Sequence, residues 1–399
     1  MNMGSRLRKI LIVLTALPLL LLVSGCWSTV ELNDRAFARM MIFDKGKEGI
    51  ELTLGFPLPN RMIPGMAGSG GGPQSGSPYT FITKEGVNVG QALRNIQIDL
   101  SRKITLGQSS VVVIGKELAQ EGIDPVLEFL AREPRVHINA SVFVTEGKGK
   151  EIANIPTIFE RFPTDILTAY VLQHETMQTT IKDFLMANYT GGDMIAPLLY
   201  FKPQKIASEK GKLQDWMGVG GAAIFKNKKL QSTIGVKEMR GALWVVGQLA
   251  DAEITIPSPS DGRKVSFFIE HSHTKIKPQL SGGKASIHLQ CTANARLLSS
   301  DSMLDAEDPK QLKELEHQLE TEVERRIMSV IDKTREAKAD AFQFGNFIAW
   351  YYPKQWKTLQ PQWVEHYSNR TAEVIIHADI DIRRLGTETK SVELEENTS

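Results

Sequence analysis

The chain has 399 residues, 42% of them hydrophobic and 23% charged, with a formal net charge of +1. Such a composition excludes a disordered or fibrous chain, and the length is that of two or three globular domains. Nothing in this near-neutral balance suggests nucleic acid or an electrostatic membrane patch. The first element is a leader in which Arg6, Arg8 and Lys9 precede an apolar run from Ile10 to Val23, broken by Thr15 and Pro18. This is the layout of a secretory signal, and the run is short of the roughly 20 residues that a comfortable membrane span needs.

The leader closes on Leu21-Leu22-Val23-Ser24-Gly25-Cys26. Small residues before a cysteine resemble the lipobox of bacterial lipoproteins, which implies cleavage after Gly25, transfer of a diacylglyceryl group to the Cys26 thiol, and room for N-acylation. The competing reading is an ordinary secretory signal with an incidental cysteine. Each buried methylene contributes about 0.8 kcal/mol, so one acyl chain holds marginally and two hold stably. Cleavage removes Arg6, Arg8 and Lys9 and leaves a mature charge of −2. Lipidation of Cys26 leaves Cys291 without a partner in the chain, and its place among alternating apolar neighbours reads as a small buried hydrophobe.

Apolar runs at Ala36 to Phe43 and Ile50 to Phe56 predict strands, and a Gly/Ser/Pro-rich stretch from Gly65 to Pro78 predicts a surface loop. That loop has no Gly-Lys-Ser/Thr ending and opens no helix, so its glycines form no phosphate cradle. Tyr79 to Thr83 reads as a strand, and Val89, Ala92, Leu93, Ile96 and Leu100 repeat at helical spacing. Val111 to Ile114 is a buried strand, and Asp124-Pro125 predicts a helix start with Asp124 as N-cap. His137 to Val144 returns as a strand before a mostly helical region from about Lys150 to Asn188. Strands alternating with helices predict a mixed sheet covered by helices.

The polar stretch between Lys202 and Asp215 is the best boundary. The division expected is a signal peptide 1–25, an N-terminal α+β domain 26–207, a C-terminal α+β domain 208–385 and an acidic mobile tail 386–399. Whether 208–385 is one unit or two modules, 216–260 and 261–385, stays open. Beyond the boundary, Val219 to Phe225 and Leu230 to Ile234 predict a hairpin, Val236 to Gln248 a helix, and Lys264 to Ile276 and Ala285 to Leu297 two longer strands. Asp308-Pro309-Lys310-Gln311 starts the longest helix, with Asp308 capping and Gln311 reaching back. Its apolar stripe of Leu312, Leu315, Leu319, Val323, Ile327, Val330 and Ile331 suits packing on a sheet, since a heptad would require an apolar residue at Glu322. Gly345 is expected to end or bend it, and Asn346 to Tyr352 to form a short helix stopped by Pro353. Val374, Ile376, Ala378, Ile380 and Ile382 alternate along a final strand from Thr371 to Arg384. The fold class expected is α+β, with mixed and antiparallel sheets covered by helices in two or three modules.

Little of this carries chemistry. His271 and His273 share one strand face, a spacing that can bind metal, yet no third ligand stands nearby in a known spacing. There is no Gly-x-Ser-x-Gly elbow, His-Glu-x-x-His or Walker sequence. Trp350, Tyr351, Tyr352, Trp356, Trp363 and Tyr367 form an aromatic cluster that reads as core before it reads as a sugar or partner platform. Lys338, Lys354, Lys357, Arg383 and Arg384 read as a solvated face. No enzyme activity, metal or cofactor is expected.

Several ordered motifs remain. Cys26-Trp27-Ser28-Thr29-Val30-Glu31-Leu32 resembles a Cys-Trp-Asp-x-x-Glu-Leu opening, departing from it at Ser28. Leu106-Gly107-Gln108, Gly122-Ile123-Asp124-Pro125 with Phe129-Leu130-Ala131-Arg132, and Met239-Arg240-Gly241-Ala242-Leu243-Trp244 follow. Then come Lys338-Ala339-Asp340-Ala341-Phe342 with Phe344-Gly345, Tyr352-Pro353-Lys354 with Trp356-Lys357, and Ile382-Arg383-Arg384-Leu385-Gly386. In this order they resemble the Ger(x)C family, the lipoprotein C subunits of spore germinant receptors in spore-forming Firmicutes. The resemblance implies a non-enzymatic α+β protein, tethered through Cys26 to the outer face of the spore inner membrane. It also implies work with two integral-membrane subunits, of A and B type, in triggering germination by assembly or coupling. It supplies no catalytic residue, and binding of a small nutrient by this chain is not expected. A lipid-anchored solute-binding protein of a transporter is the alternative, and it predicts two similar lobes around a cleft; an envelope hydrolase lacks its motifs.

Overall fold

Val111 to Ile114 are four consecutive aliphatic residues, all buried, and a strand of this kind demands cover on both faces. The computed structural model describes residues 31–58, 77–188, 192–205, 213–304 and 308–384. Cys26 with the whole leader, most of the Gly65 to Pro78 loop and the 386–399 tail lie outside the described residues.

The first half runs through β1 (Arg35–Phe37), β2 (Met40–Lys45), β3 (Ile50–Pro57), β4 (Tyr79–Gly86), α1 (Val89–Ile98), β5 (Lys103–Thr105) and β6 (Val111–Ile114). It continues with α2 (Lys116–Glu121), α3 (Asp124–Arg132), β7 (Ser141–Thr145), α4 (Pro163–Leu172), α5 (Ile181–Asn188) and β8 (Met194–Lys205). The second half contains β9 (Leu213–Lys226), β10 (Lys229–Ile234), α6 (Val236–Val245), β11 (Ala250–Pro257), β12 (Lys264–Ser281) and β13 (Lys284–Ser300). It ends with α7 (Pro309–Glu336), α8 (Phe344–Tyr351), α9 (Pro353–Leu359), α10 (Trp363–Ser368) and β14 (Glu373–Arg384).

The larger sheet has eight strands in the order β10-β9-β8-β7-β6-β2-β3-β4. Its centre of β2, β6, β7 and β8 is parallel, and antiparallel strands extend it on both sides. One face, with Met41, Phe43, Val112 and Val144, packs under α1, α2, α3 and α5. The other, with Met40, Ile42, Val113 and Phe143, meets Leu167 of α4. Two-sided burial is why these strands read as continuous apolar runs. The smaller sheet has the order β11-β12-β13-β14, with β14 parallel to β13. Ile287, Leu289 and Cys291 on its inner face pack with Leu315, Leu319, Val323 and Ile327 of α7.

The two sheets share a core through α6. Met239, Leu243 and Trp244 cluster both with Ile195, Ala222 and Ile224 of the larger sheet and with Val330 of α7. Gly241 permits this approach, since a Cβ there would lie 2.6 Å from the carbonyl oxygen of Arg326.

The hairpin of β9 and β10 completes the larger sheet, with β9 pairing β8 from Phe225 opposite Met194 to Leu213 opposite Lys205, so strands on the two sides of the 207/208 division share one sheet. Likewise β11 pairs with β12 across the 260/261 division. Several local expectations are corrected. The long helix stops at Glu336 rather than at Gly345, where Lys338 turns the chain with a φ of 51°. Gly345 instead lies in the first turn of α8, where a Cβ would meet Trp356 at 2.6 Å and Trp363 at 2.9 Å. Ile123, not Asp124, holds the N-cap position of α3, and Asp124 pairs with Lys228. The Ala36 to Phe43 run breaks at Ala38-Arg39 into β1 and β2, because their amides turn to Thr105 and Gly55 respectively.

Candidate functional site

In open α/β sheets a ligand crevice forms beyond the carboxyl ends of parallel strands, where the strand order reverses. Here β2, β6, β7 and β8 follow one another in a single direction. The carboxyl end of β2 is occupied by Asp44, which is buried and accepts the Gly149 amide at 2.7 Å and the Lys150 amide at 2.9 Å. Lys150 Nζ in turn pairs with Glu51 at 2.8 Å. Burial pushes the Asp44 carboxyl above its ordinary range, and the two amides pull against it. The arrangement pins a loop, and it leaves no local mark in the sequence because the partners are about a hundred residues apart.

The opposite end of the same sheet holds two buried carboxylates in series. Asp193, just before β8, accepts the Asn227 amide of the β9–β10 turn at 3.0 Å and the Asp340 amide at 2.8 Å. The Asp340 side chain then accepts Phe344 N at 2.9 Å, Gly345 N at 2.8 Å and Trp363 Nε1 at 2.7 Å. Burial pushes Asp340 up to about 6 despite these three donors, and Asp193 nearby adds to the rise. The motif Lys338 to Gly345 is thus a clasp. It joins the larger sheet to the α8–α10 turn, with Trp356 and Trp363 edge to face at 5.9 Å and Tyr367 hydroxyl 2.6 Å from Thr334. Asp193 was absent from the sequence reading; the Gly191-Gly192-Asp193 step between a helix and a strand was its only local signal.

The aromatic cluster divides. Trp356, Trp363 and Tyr367 are core, as the sequence reading favoured, whereas Trp350 and Tyr351 are 62% and 59% exposed. Cys291 is fully buried, lies 3.5 Å from Thr274 Oγ1, and its thiol is pushed up by burial, away from nucleophilic use.

His271 and His273 do face the same side of β12, into an open groove of about 780 Å³ that also takes in Asp379, Asp381, Glu316, His317 and Glu320. Among the described residues no three His, Cys, Asp or Glu side chains converge as metal ligands do. Two of the groove's glutamates are committed to the backbone. Glu316, Glu320 and Glu324 accept the amides of Ile382, Ile380 and Ala378 at 3.2, 3.2 and 2.9 Å. Four residues of helix advance about 6 Å and two residues of strand about 6.6 Å, so successive carboxylates of α7 match successive outward amides of β14. The groove is therefore the flank of an edge-capping device. Glu31, the first described residue, is five residues from Cys26 and so within about 18 Å of its Cα however the chain runs.

Comparison with known proteins identifies relatives along almost the whole chain. Residues 28–200 match the family model "Spore germination protein N-terminal domain", and residues 220–386 match "Spore germination B3/ GerAC like, C-terminal". Spore germination protein KC of Bacillus subtilis is 26% identical over 95% of this chain and 96% of its own length. Spore germination protein A3 of the same organism is 26% identical over 92% and 95%. The crystal structure of the GerBC protein superposes with a TM-score of 0.53 at 20% identity, covering 88% of this chain and 98% of that one.

Proposed function

The chain belongs to the Ger(x)C family of spore germination proteins, and from that premise we propose that it is the lipid-anchored C subunit of a nutrient germinant receptor. The Cys26 thiol carries the diacylglyceryl group, and the body stands on the outer face of the spore inner membrane. Its partners there are two integral-membrane subunits of A and B type. Its contribution is assembly of the receptor or coupling of nutrient sensing to germination, without catalysis.

The observation that carries this reading is the tandem match of both family models, over residues 28–200 and 220–386. Physics supports it as well. Among the described residues no helix is long and apolar enough to cross a membrane, and the attachment proposed is a covalent lipid at Cys26. A tether of that kind raises the local concentration of the body beside membrane partners, and modest interfaces then suffice.

Two experiments test it. Cys26→Ala should abolish incorporation of labelled fatty acid and move the protein from the membrane to the soluble fraction of spores; persistence of both label and membrane fractionation would refute the anchor. Affinity purification from spore membranes should recover two polytopic subunits, and recovery of neither would refute the receptor role.

A further inference from the structure

We propose that the exposed aromatic face of α8, formed by Phe347, Trp350 and Tyr351 with Lys354 and Lys357 beside it, rests in the headgroup layer of the bilayer that holds the Cys26 lipid. The inference depends on the lipid-anchor reading and adds a second contact that fixes how the body is oriented. Three observations lead to it.

The first is chemistry. From Ala341 to Val364 there is no Asp or Glu, while Lys354 and Lys357 are present and exposed. Trp350 and Tyr351 are more than half exposed, and Phe347 holds the Trp350 ring at 5.2 Å. Indole and phenol rings with an apolar body and a polar edge prefer the membrane–water interface, and lysines beside them favour anionic headgroups.

The second is position. The parallel strands β2, β6, β7 and β8 all begin at one end of the larger sheet. The chain arrives there from Cys26 through β1, and Asp193 at that same end holds the clasp from which α8 starts. Three strand spacings, about 15 Å, separate β2 from β8, and the eight residues of α8 advance about 12 Å more. The anchor tether reaches about 18 Å beyond Glu31, so one bilayer surface can take both contacts.

The third is rigidity. The clasp fixes the first turn of α8 by two hydrogen bonds, from the Phe344 and Gly345 amides, to a buried carboxylate that also accepts Trp363 Nε1 of α10, and Trp356 packs behind Gly345. Trp350 and Tyr351 close the same eight-residue helix, whose far end is held by the Tyr352 amide on Ile348 O at 2.7 Å and by the Trp356 amide on Tyr352 O at 2.9 Å.

The test uses the full-length lipidated protein in a Trp27→Phe background, which removes the indole next to the anchor. It is reconstituted on phosphatidylcholine vesicles with and without phosphatidylglycerol, the lipids carrying bromine near the headgroup. Tryptophan emission should be quenched, and Trp350→Phe should remove most of the quenching while sedimentation with vesicles is unchanged. Lys354→Glu with Lys357→Glu should abolish the enhancement by phosphatidylglycerol. Unchanged quenching in Trp350→Phe would overturn the proposal while leaving the anchor intact, whereas failure of the lipidated protein to sediment would refute the anchor itself. A photo-crosslinker at position 350 in spore membranes should label lipid. Labelling of a polypeptide instead would overturn the lipid contact in favour of a protein partner.

Discussion

Asp340 places three donors on two oxygens in a site only 6% exposed. Truncation leaves those donors with nothing to bind, at about 1–3 kcal/mol for each buried unsatisfied group. Asp340→Ala should therefore lower stability by about 3 kcal/mol or more, read as a drop in urea midpoint. Asp340→Asn keeps one acceptor oxygen and turns an amide toward a donor, so its cost should be smaller. The pH dependence has a definite sign. The folded carboxyl sits at about 6 against an ordinary 3.8, so the folded state binds the proton more tightly than the unfolded one. Its contribution is fully present below about pH 4 and is lost as pH rises through 6. Hence the stability gap between wild type and Asp340→Asn should widen on going from pH 7 to pH 4, by up to about 3 kcal/mol. A gap independent of pH would remove burial as the cause. Gly345→Ala should also destabilise, by about 1–3 kcal/mol, because its Cβ would press on Trp356 and Trp363.

At the scale of elements, α7 does two jobs with two neighbouring columns of residues, one position apart and about 100° around the helix. Its leucine and valine stripe covers the inner face of the smaller sheet, while Glu316, Glu320 and Glu324 close the edge of β14. An open parallel edge strand is a template for further pairing. Glu320→Ala should cost about 1 kcal/mol and speed amide exchange at Ile380. Replacing all three glutamates with alanine should make the protein associate through β14, seen as a concentration-dependent rise in mass by light scattering. A triple variant that stays monomeric with protected β14 amides would show that the carboxylates are dispensable. The periodicity of α7 and its Asp308 start were legible, and Asp308 does accept the Lys310 amide at 2.9 Å. The glutamates were not, because their spacing of four also describes any solvated helix face.

For the molecule as a whole, two unlike sheets of eight and four strands are joined by α6, by the Asp193–Asp340 clasp and by a shared core. They do not form the two similar lobes that a solute-binding protein would present. Cutting after residue 207 would expose the full length of β8, so the 26–207 piece expressed alone should aggregate; a soluble monomer would show that the β8–β9 pairing is expendable. Sequence alone settled what depends on local period: the α+β class, the long helix with its start, the β12–β13 ribbon and the final strand, since burial of one face writes itself into every second or every third to fourth residue. It also carried the family's motifs in order. Only the tertiary structure decided that β9 and β10 belong to the larger sheet, that Trp350 and Tyr351 stand outside while Trp356 and Trp363 lie within, and that Asp193 meets Asp340. The reason is that a strand pairs through backbone groups common to all residues, and an alternating pattern says which face is buried without saying which neighbour buries it.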